Sequence, residues 1–208
     1  EADFFELFDE QRRNPRVDLL IRAKHDRNIV SEPQKLFASL KSTPGRAAVT
    51  IHVPRRSARP KRGNQQARPK RPTRTAELAL RYMRVQFRPS RYRKDTEPIE
   101  VWAIHAVEQA PPPDTEPVEW FLLTTIPIDA AETAVTCLRW YCLRWRIEDW
   151  HRVLKSGCCI EELAHRSAVR LKRAIAINLV IAWRIMLMTL LGRETPELPA
   201  EILFSDFE

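Results

Sequence analysis

Tyr141, Arg144, Glu148 and Lys155 have the types and the spacing to do phosphate chemistry. Steps of three, four and seven keep them on one face of a helix. A carboxylate is a ligand for a hard divalent cation. Arg offers a planar fork and Lys a point charge for phosphate oxygens. One carboxylate bracketed by a phenol and two cations therefore suits a metal ion held beside a phosphate. His151 falls on the same stripe, and Arg152 lies next to it.

These groups need an element to carry them. Trp140, Leu143, Ile147, Trp150 and Leu154 recur in steps of three and four, one position away from the chemical stripe. The spacing predicts a single helix whose apolar face docks on a core. Asp129 and Glu132 are placed to form a capping box, and Gly157 to end the helix at C′. That helix would run about 27 residues, roughly 40 Å at 1.5 Å per residue.

Earlier in the chain, Phe4, Leu7 and Phe8 predict a short helix over residues 3–13. Residues 17–22 read as a strand, apolar enough to be buried on both faces, that delivers Arg22 and Lys24 at its end. Residues 32–40 read as a helix with Ser31 as N-cap. From Val49 the period becomes two: Val49, Ile51 and Val53, then Leu78, Leu80 and Tyr82, and more loosely Val85 and Phe87. Residues 99–107 and 120–125 read as two more strands. Residues 167–191 read as a helix, almost wholly apolar from Ala174, interrupted by Asn178, Arg184 and Thr189. A buried core helix is preferred there to a membrane span.

A net charge of +8 and a pI near 9.7 point to a polyanion, most simply nucleic acid. Much of the excess lies in residues 55–74, where Arg55, Arg59, Arg62 and Arg68 stand among prolines without an acidic residue. Such a loop should follow backbone phosphates without reading sequence. Cys137, Cys142, Cys158 and Cys159 have no paired C-x-x-C spacing, which argues against a zinc site or a disulfide framework. Glu148 with His151 and Glu162 with His165 repeat the Glu-x-x-His spacing of di-iron bundles, but the strand-like middle of the chain lacks the further helices such a bundle needs.

The spacing of Tyr141, Arg144, Glu148 and Lys155 resembles the signature of bacterial DDE transposases of the insertion-sequence-four family, of the transposon-five type. Glu1-Ala2-Asp3 resembles the end of the family's Asp-Arg-Glu-Ala-Asp segment, and Arg22-Ala23-Lys24-His25 its Arg-Ser-Lys-His. Trp120-Phe121-Leu122-Leu123-Thr124-Thr125 resembles its Trp-Leu-Leu-Leu-Thr-Ser. The resemblance implies an α/β fold: a partial ribonuclease-H-like core with an antiparallel β insertion and C-terminal helices. Residues 1–47 would be core, 48–127 the insertion with its basic loop 55–74, and 128–208 the Glu-bearing helix and a core helix.

It further implies that Glu148 is a catalytic ligand of Mg²⁺ or Mn²⁺, in a site where two metals and two further Asp carry out phosphoryl transfer. Tyr141, Arg144 and Lys155 would hold the phosphate near a flipped base, and Trp120 would stack on that base. Arg22, Lys24, His151, Arg152 and Arg62 are expected to touch DNA. The family's two Asp match no position here, so the chain reads as a piece of a longer transposase, inactive alone. The alternative is a non-catalytic DNA-binding remnant or regulator of transposition. Expected partners are double-stranded DNA (transposon ends and target) and a second copy in the full-length protein. The expected location is the cytoplasm, at the nucleoid, without a membrane.

Neutralising Arg55, Arg59 and Arg62 together should weaken DNA binding and make the log K against log salt slope shallower by about 2 to 3, at ~0.9 per lost phosphate contact. A salt titration by fluorescence anisotropy checks this.

Overall fold

A computed structural model of the chain describes residues 4–30, 35–55, 58, 60–61, 63, 67, 70, 72–87, 97–199, 201 and 204. The chain forms two compact units, Glu1–Tyr141 and Cys142–Glu208.

The first unit is built on a five-stranded antiparallel sheet of order β1-β5-β4-β3-β2. In chain order it holds α1 (Phe5–Arg13), β1 (Leu20–Arg22), α2 (Leu36–Ser42), β2 (Ala47–Val53), β3 (Arg74–Phe87), β4 (Ile99–Glu108) and β5 (Glu119–Thr124). Four consecutive strands form a meander, and β1 closes its edge beside β5, pairing Leu20 with Thr124 and Arg22 with Leu122. The Ala23 N–H donates to the Phe121 carbonyl (2.7 Å) and the Thr125 N–H to the Leu19 carbonyl (3.1 Å), so pairing outlasts the three-residue strand. Strands from both sides of residue 47 thus share one sheet. The mixed α/β class with an antiparallel sheet and C-terminal helices is the architecture observed.

Both faces of the sheet are covered. On one, Val85, Phe87, Ile99, Val101, Ala103, Phe121 and Leu123 pack with Phe5 and Phe8 of α1 and with Leu36 and Leu40 of α2. The other carries Val49, Ile51, Leu78, Leu80, Tyr82, Ile104 and Leu122, all buried. The loosened alternation along β3 now has a cause. The β3–β4 register runs without a bulge, so Leu80 and Tyr82 point to one face and Val85 and Phe87 to the other. Each half of the strand is buried on the side where a layer covers it.

Several expectations change. Residues 17–22 are not buried on both faces; β1 is a short edge strand with Leu20 and Ile21 half-buried and Arg22 exposed. Ser31 lies outside the described residues, and α2 begins only at Leu36. The Asp26 carboxylate accepts from the Phe37 N–H (2.8 Å), so a first-turn donor is satisfied from eleven positions upstream rather than by a local cap. The single helix over residues 129–157 is three pieces: α3 (Ala131–Leu143), α4 (Arg146–Arg152) and a π turn (Val153–Gly157). Between α3 and α4 the N–H groups of Trp145, Ile147 and Glu148 bond three residues back, a 3₁₀ wedge that resets the helical phase. Gly157 closes the π turn, with the Cys158 N–H on the Val153 carbonyl (3.0 Å), while the left-handed residue is Cys159 (φ 46°).

In the second unit, α4, the π turn and a 3₁₀ turn (Ile160–Glu162) precede α5 (Ala168–Glu194). Ser167 caps α5, its hydroxyl accepting from the Arg170 N–H (3.3 Å). The expected buried core helix is instead exposed: of α5 only Ala182 is buried, and Ile177, Val180 and Trp183 are each more than half exposed. Within the unit α4 and the π turn lean on it, through the Trp150 Nε1–H on the Leu179 carbonyl (3.3 Å) and Arg146 on Glu194 (2.9 Å). Asn178 and Thr189 donate to carbonyls one turn back (2.9 and 2.8 Å), which satisfies two of the polar interruptions internally. By length and composition α5 could cross a membrane, with a mean hydropathy of 2.1 over an 18-residue window.

The β3–β4–β5 end is tied by a bidentate ion pair of Arg74 with Glu108, whose Oε2 also accepts from the Val118 N–H (2.9 Å). Glu108→Ala would leave a half-buried guanidinium and a buried N–H without their acceptor, so it should cost about 3 kcal/mol in urea unfolding. Arg74→Met with Glu108→Leu should recover most of that.

Candidate nucleic-acid interface

Trp120 sits on β5 opposite Ala106, on the sheet face that also carries Leu122. Arg22 pairs with Leu122, so it belongs to the same face. The half-buried Trp120 indole meets the Tyr141 ring edge to face, with centroids 5.3 Å apart and planes at 68°. Tyr141 is brought there by α3. Ala134, Cys137, Leu138 and Tyr141 are its buried residues, a stripe of period three and four. The docking face of α3 is therefore Tyr141's own stripe. Trp140 and Leu143, expected to dock, are about half exposed. The small residues Ala134 and Cys137 let the helix approach the sheet, and the larger Trp140 stripe faces away. Lys24 follows the strand end and is exposed.

Arg144, Glu148, His151, Arg152 and Lys155 lie in the second unit. Arg144 is in the wedge, its guanidinium 4.7 Å from the centroid of the Trp145 ring. Glu148 is exposed in the first turn of α4, where the positive end of the helix favours a carboxylate. Arg152 pairs with Asp149 (2.8 Å) and Lys155 with Glu161 (2.7 Å), both on the surface, so a phosphate can displace either partner at little cost. The His151 ring leans on Trp150, with centroids 5.1 Å apart. Arg62 lies outside the described residues. Of the same basic stretch, Arg55, Lys61 and Lys70 are described and exposed.

Residues 6–184 match the family model of the transposase DDE domain. The chain belongs to this family. Tyr141, Arg144, Glu148, Lys155 and Trp120 all fall inside the matched segment. A transposase domain acts on DNA, and the family typically works with divalent metal ions.

Among the described residues, no group of three or more His, Cys, Asp or Glu side chains is placed to hold a metal ion. Glu148 offers one carboxylate. Asp149 is engaged by Arg152, and the buried Asp9 by Arg12 (2.8 Å) and Arg13 (2.5 Å). The second Glu-x-x-His pair is not on one helix face either, since Glu162 ends a 3₁₀ turn and His165 lies beyond it. The described residues therefore do not make a complete metal centre, and no step is routed through one.

Sequence reasoning missed a polar cluster on the sheet face opposite Trp120. His105 is buried, and its ring lies parallel to Phe121 (4.4 Å, 7°). The Nε2 pairs with Glu119 (2.9 Å), and Arg81 approaches Nδ1 (3.3 Å). Burial pushes His105 below the ordinary imidazole value, against the pull of Glu119. Despite partial burial, the hydrogen bonds from His105 and Lys41 hold Glu119 below its ordinary value. A lone polar residue within the apolar run of β4 was the available signal.

The Trp120–Tyr141 contact should show as a coupling of about 1 kcal/mol in a double-mutant cycle of Trp120→Leu and Tyr141→Leu followed by urea unfolding.

Proposed function

We propose that this chain is the C-terminal part of a cut-and-paste transposase of the insertion-sequence-four, transposon-five type. The complete enzyme would cleave transposon ends and join them to target DNA by two-metal phosphoryl transfer. Glu148 is the carboxylate this segment contributes. Trp120 offers a stacking surface to an extruded base, and Arg22 and Tyr141 line the approach to it. Arg144 and Lys155 take a DNA phosphate, and His151, Arg152, Lys24 and the basic stretch that includes Arg62 add backbone contacts.

The observation that carries this reading is the Trp120–Tyr141 contact. The two residues lie on different elements and are assigned by resemblance to one base-and-phosphate subsite; the fold sets their rings 5.3 Å apart. Extruding a base costs a few kcal/mol, and stacking on an aromatic face returns about 1–3 kcal/mol per base. At 68° to the indole, the Tyr141 ring is not stacked flat on it. A homodimer of the full-length protein and action at the bacterial nucleoid belong to the same proposal. The second reading is a DNA-binding remnant or regulator, favoured by the lack of a three-acid cluster among the described residues.

The test uses this 208-residue polypeptide with duplex DNA carrying an unpaired terminal flap, in Mg²⁺ and in Mn²⁺. We expect binding without nicking. Arg144→Ala with Lys155→Ala should weaken binding about a hundredfold or more, since two charge-assisted contacts at ~1.5–3 kcal/mol each are lost. Nicking by the polypeptide alone would reject inactivity of this segment, and unchanged affinity would reject the phosphate assignment.

A further inference from the structure

Trp120 stands between two residues that point to the other side of the sheet, Glu119 and Phe121. Both are held there by Phe37 and Lys41 of α2 and His105 of β4. Phe121 is common to two near-parallel ring stacks, with Phe37 of α2 (4.0 Å, 16°) and with His105 of β4 (4.4 Å, 7°). The Lys41 ammonium lies 5.6 Å from the centre of the Phe121 ring. The same Glu119 oxygen, Oε1, meets His105 Nε2 (2.9 Å) and Lys41 Nζ (3.1 Å).

The partners define the proton's position. A guanidinium only donates, so Nδ1 of His105 accepts from Arg81 and Nε2 carries the proton to Glu119. Neutral imidazole satisfies both neighbours at once.

We propose that His105, through Glu119 and Phe121, is a positioning residue for Trp120: with Lys41 and Phe37 it clamps the backbone of β5 from behind and keeps the indole presented on the opposite face. This rests on the reading of Trp120 as a base-stacking residue.

The clamp is sensitive to acid. The charged groups facing His105 are Arg81 from β3, Glu119 from β5 and Lys41 from α2. A protonated ring would lie between two cations with one carboxylate to offset them, and its Nδ1 could no longer accept from Arg81. Because burial lowers the folded-state value, the unfolded chain binds this proton more readily. The clamp's contribution is therefore present above the ordinary imidazole value of about 6.5 and is lost as pH falls below it.

The experiment uses the 208-residue chain and a duplex with one 2-aminopurine opposite an abasic site. Probe fluorescence reports stacking of that base, and anisotropy of an end label reports binding. At saturating protein, wild type should quench the probe at pH 7.5 and quench it progressively less as pH is lowered below about 6.5. His105→Phe, which keeps the ring stack, should quench two- to threefold less at pH 7.5 and show no pH dependence in this range. Lys41→Met, at an exposed position, should also quench less while keeping the pH dependence. End-label affinity should stay within twofold for both. Wild-type quenching and pH profile in His105→Phe would overturn the proposal. If that variant does not fold by circular dichroism, wild-type quenching in Lys41→Met overturns it instead. Trp120→Ala separates the two levels. Undiminished quenching there overturns the stacking reading itself, whereas lost quenching there with both clamp variants unchanged overturns only the positioning role.

Discussion

Burial of β5 on both faces is the constraint on which the first unit depends. Phe121 and Leu123 face the layer made by α1 and α2, while Leu122 and Thr124 face the other way, and all four are buried. A one-residue slip would exchange those two sets and place Trp120 among the residues packed on α1 and α2. Each large side chain so displaced would meet a layer packed around a different one, and overpacking alone would cost about 1–3 kcal/mol. The register of β5 therefore decides which side of the sheet carries the indole. β1 is laid down on the same strand, so the placement of Arg22 follows, and Tyr141 meets Trp120 because α3 supplies a ring at that position.

The segment that carries the acidic residue is organised differently. A 3₁₀ wedge at Arg144 and Trp145 and a π turn at Val153–Gly157 flank the two turns of α4. Glu148 is thus presented at a helix start rather than in mid-helix, with the N-terminal dipole behind it. π turns inside helices frequently mark functional sites, and Lys155 lies within this one. The surface ion pairs of Arg152 and Lys155 are weak and exchangeable, which suits groups meant to meet a phosphate. Arg144 and Glu148 are both exposed in this segment, beside these exchangeable pairs.

Period-two patterning marked β2, β3, β4 and β5 because each strand sits between layers that demand alternation. Tyr141, Arg144, Glu148 and Lys155 were read at the spacing of one helix face, and the wedge at Arg144 and Trp145 and the π turn that holds Lys155 interrupt the single helix which that reading assumed. What was not legible was which stripe of α3 docks. Trp140 and Leu143 are the larger hydrophobes, yet the smaller Ala134 and Cys137 stripe is buried, since close approach to a sheet rewards small residues that a count of apolar bulk does not see. The same bias made α5 look like a core helix, although its own unit covers only Ala182. His105 was missed because an isolated histidine acquires meaning only from Glu119, Arg81 and Lys41, which approach it from three other elements.

The sequence by itself determined the family, the basic character, the strand pattern and the identity of the groups able to meet metal and phosphate, because these depend on residue type and on spacing along the chain. Only the tertiary structure decided that Trp120 and Tyr141 touch, that β1 is an edge strand carrying Arg22 to their side, that the long helix breaks at Arg144 and Trp145, and that His105 stands behind Trp120. Those facts depend on register and on helical phase. Both are set by how many layers cover each face, a property of the whole unit that no local window contains.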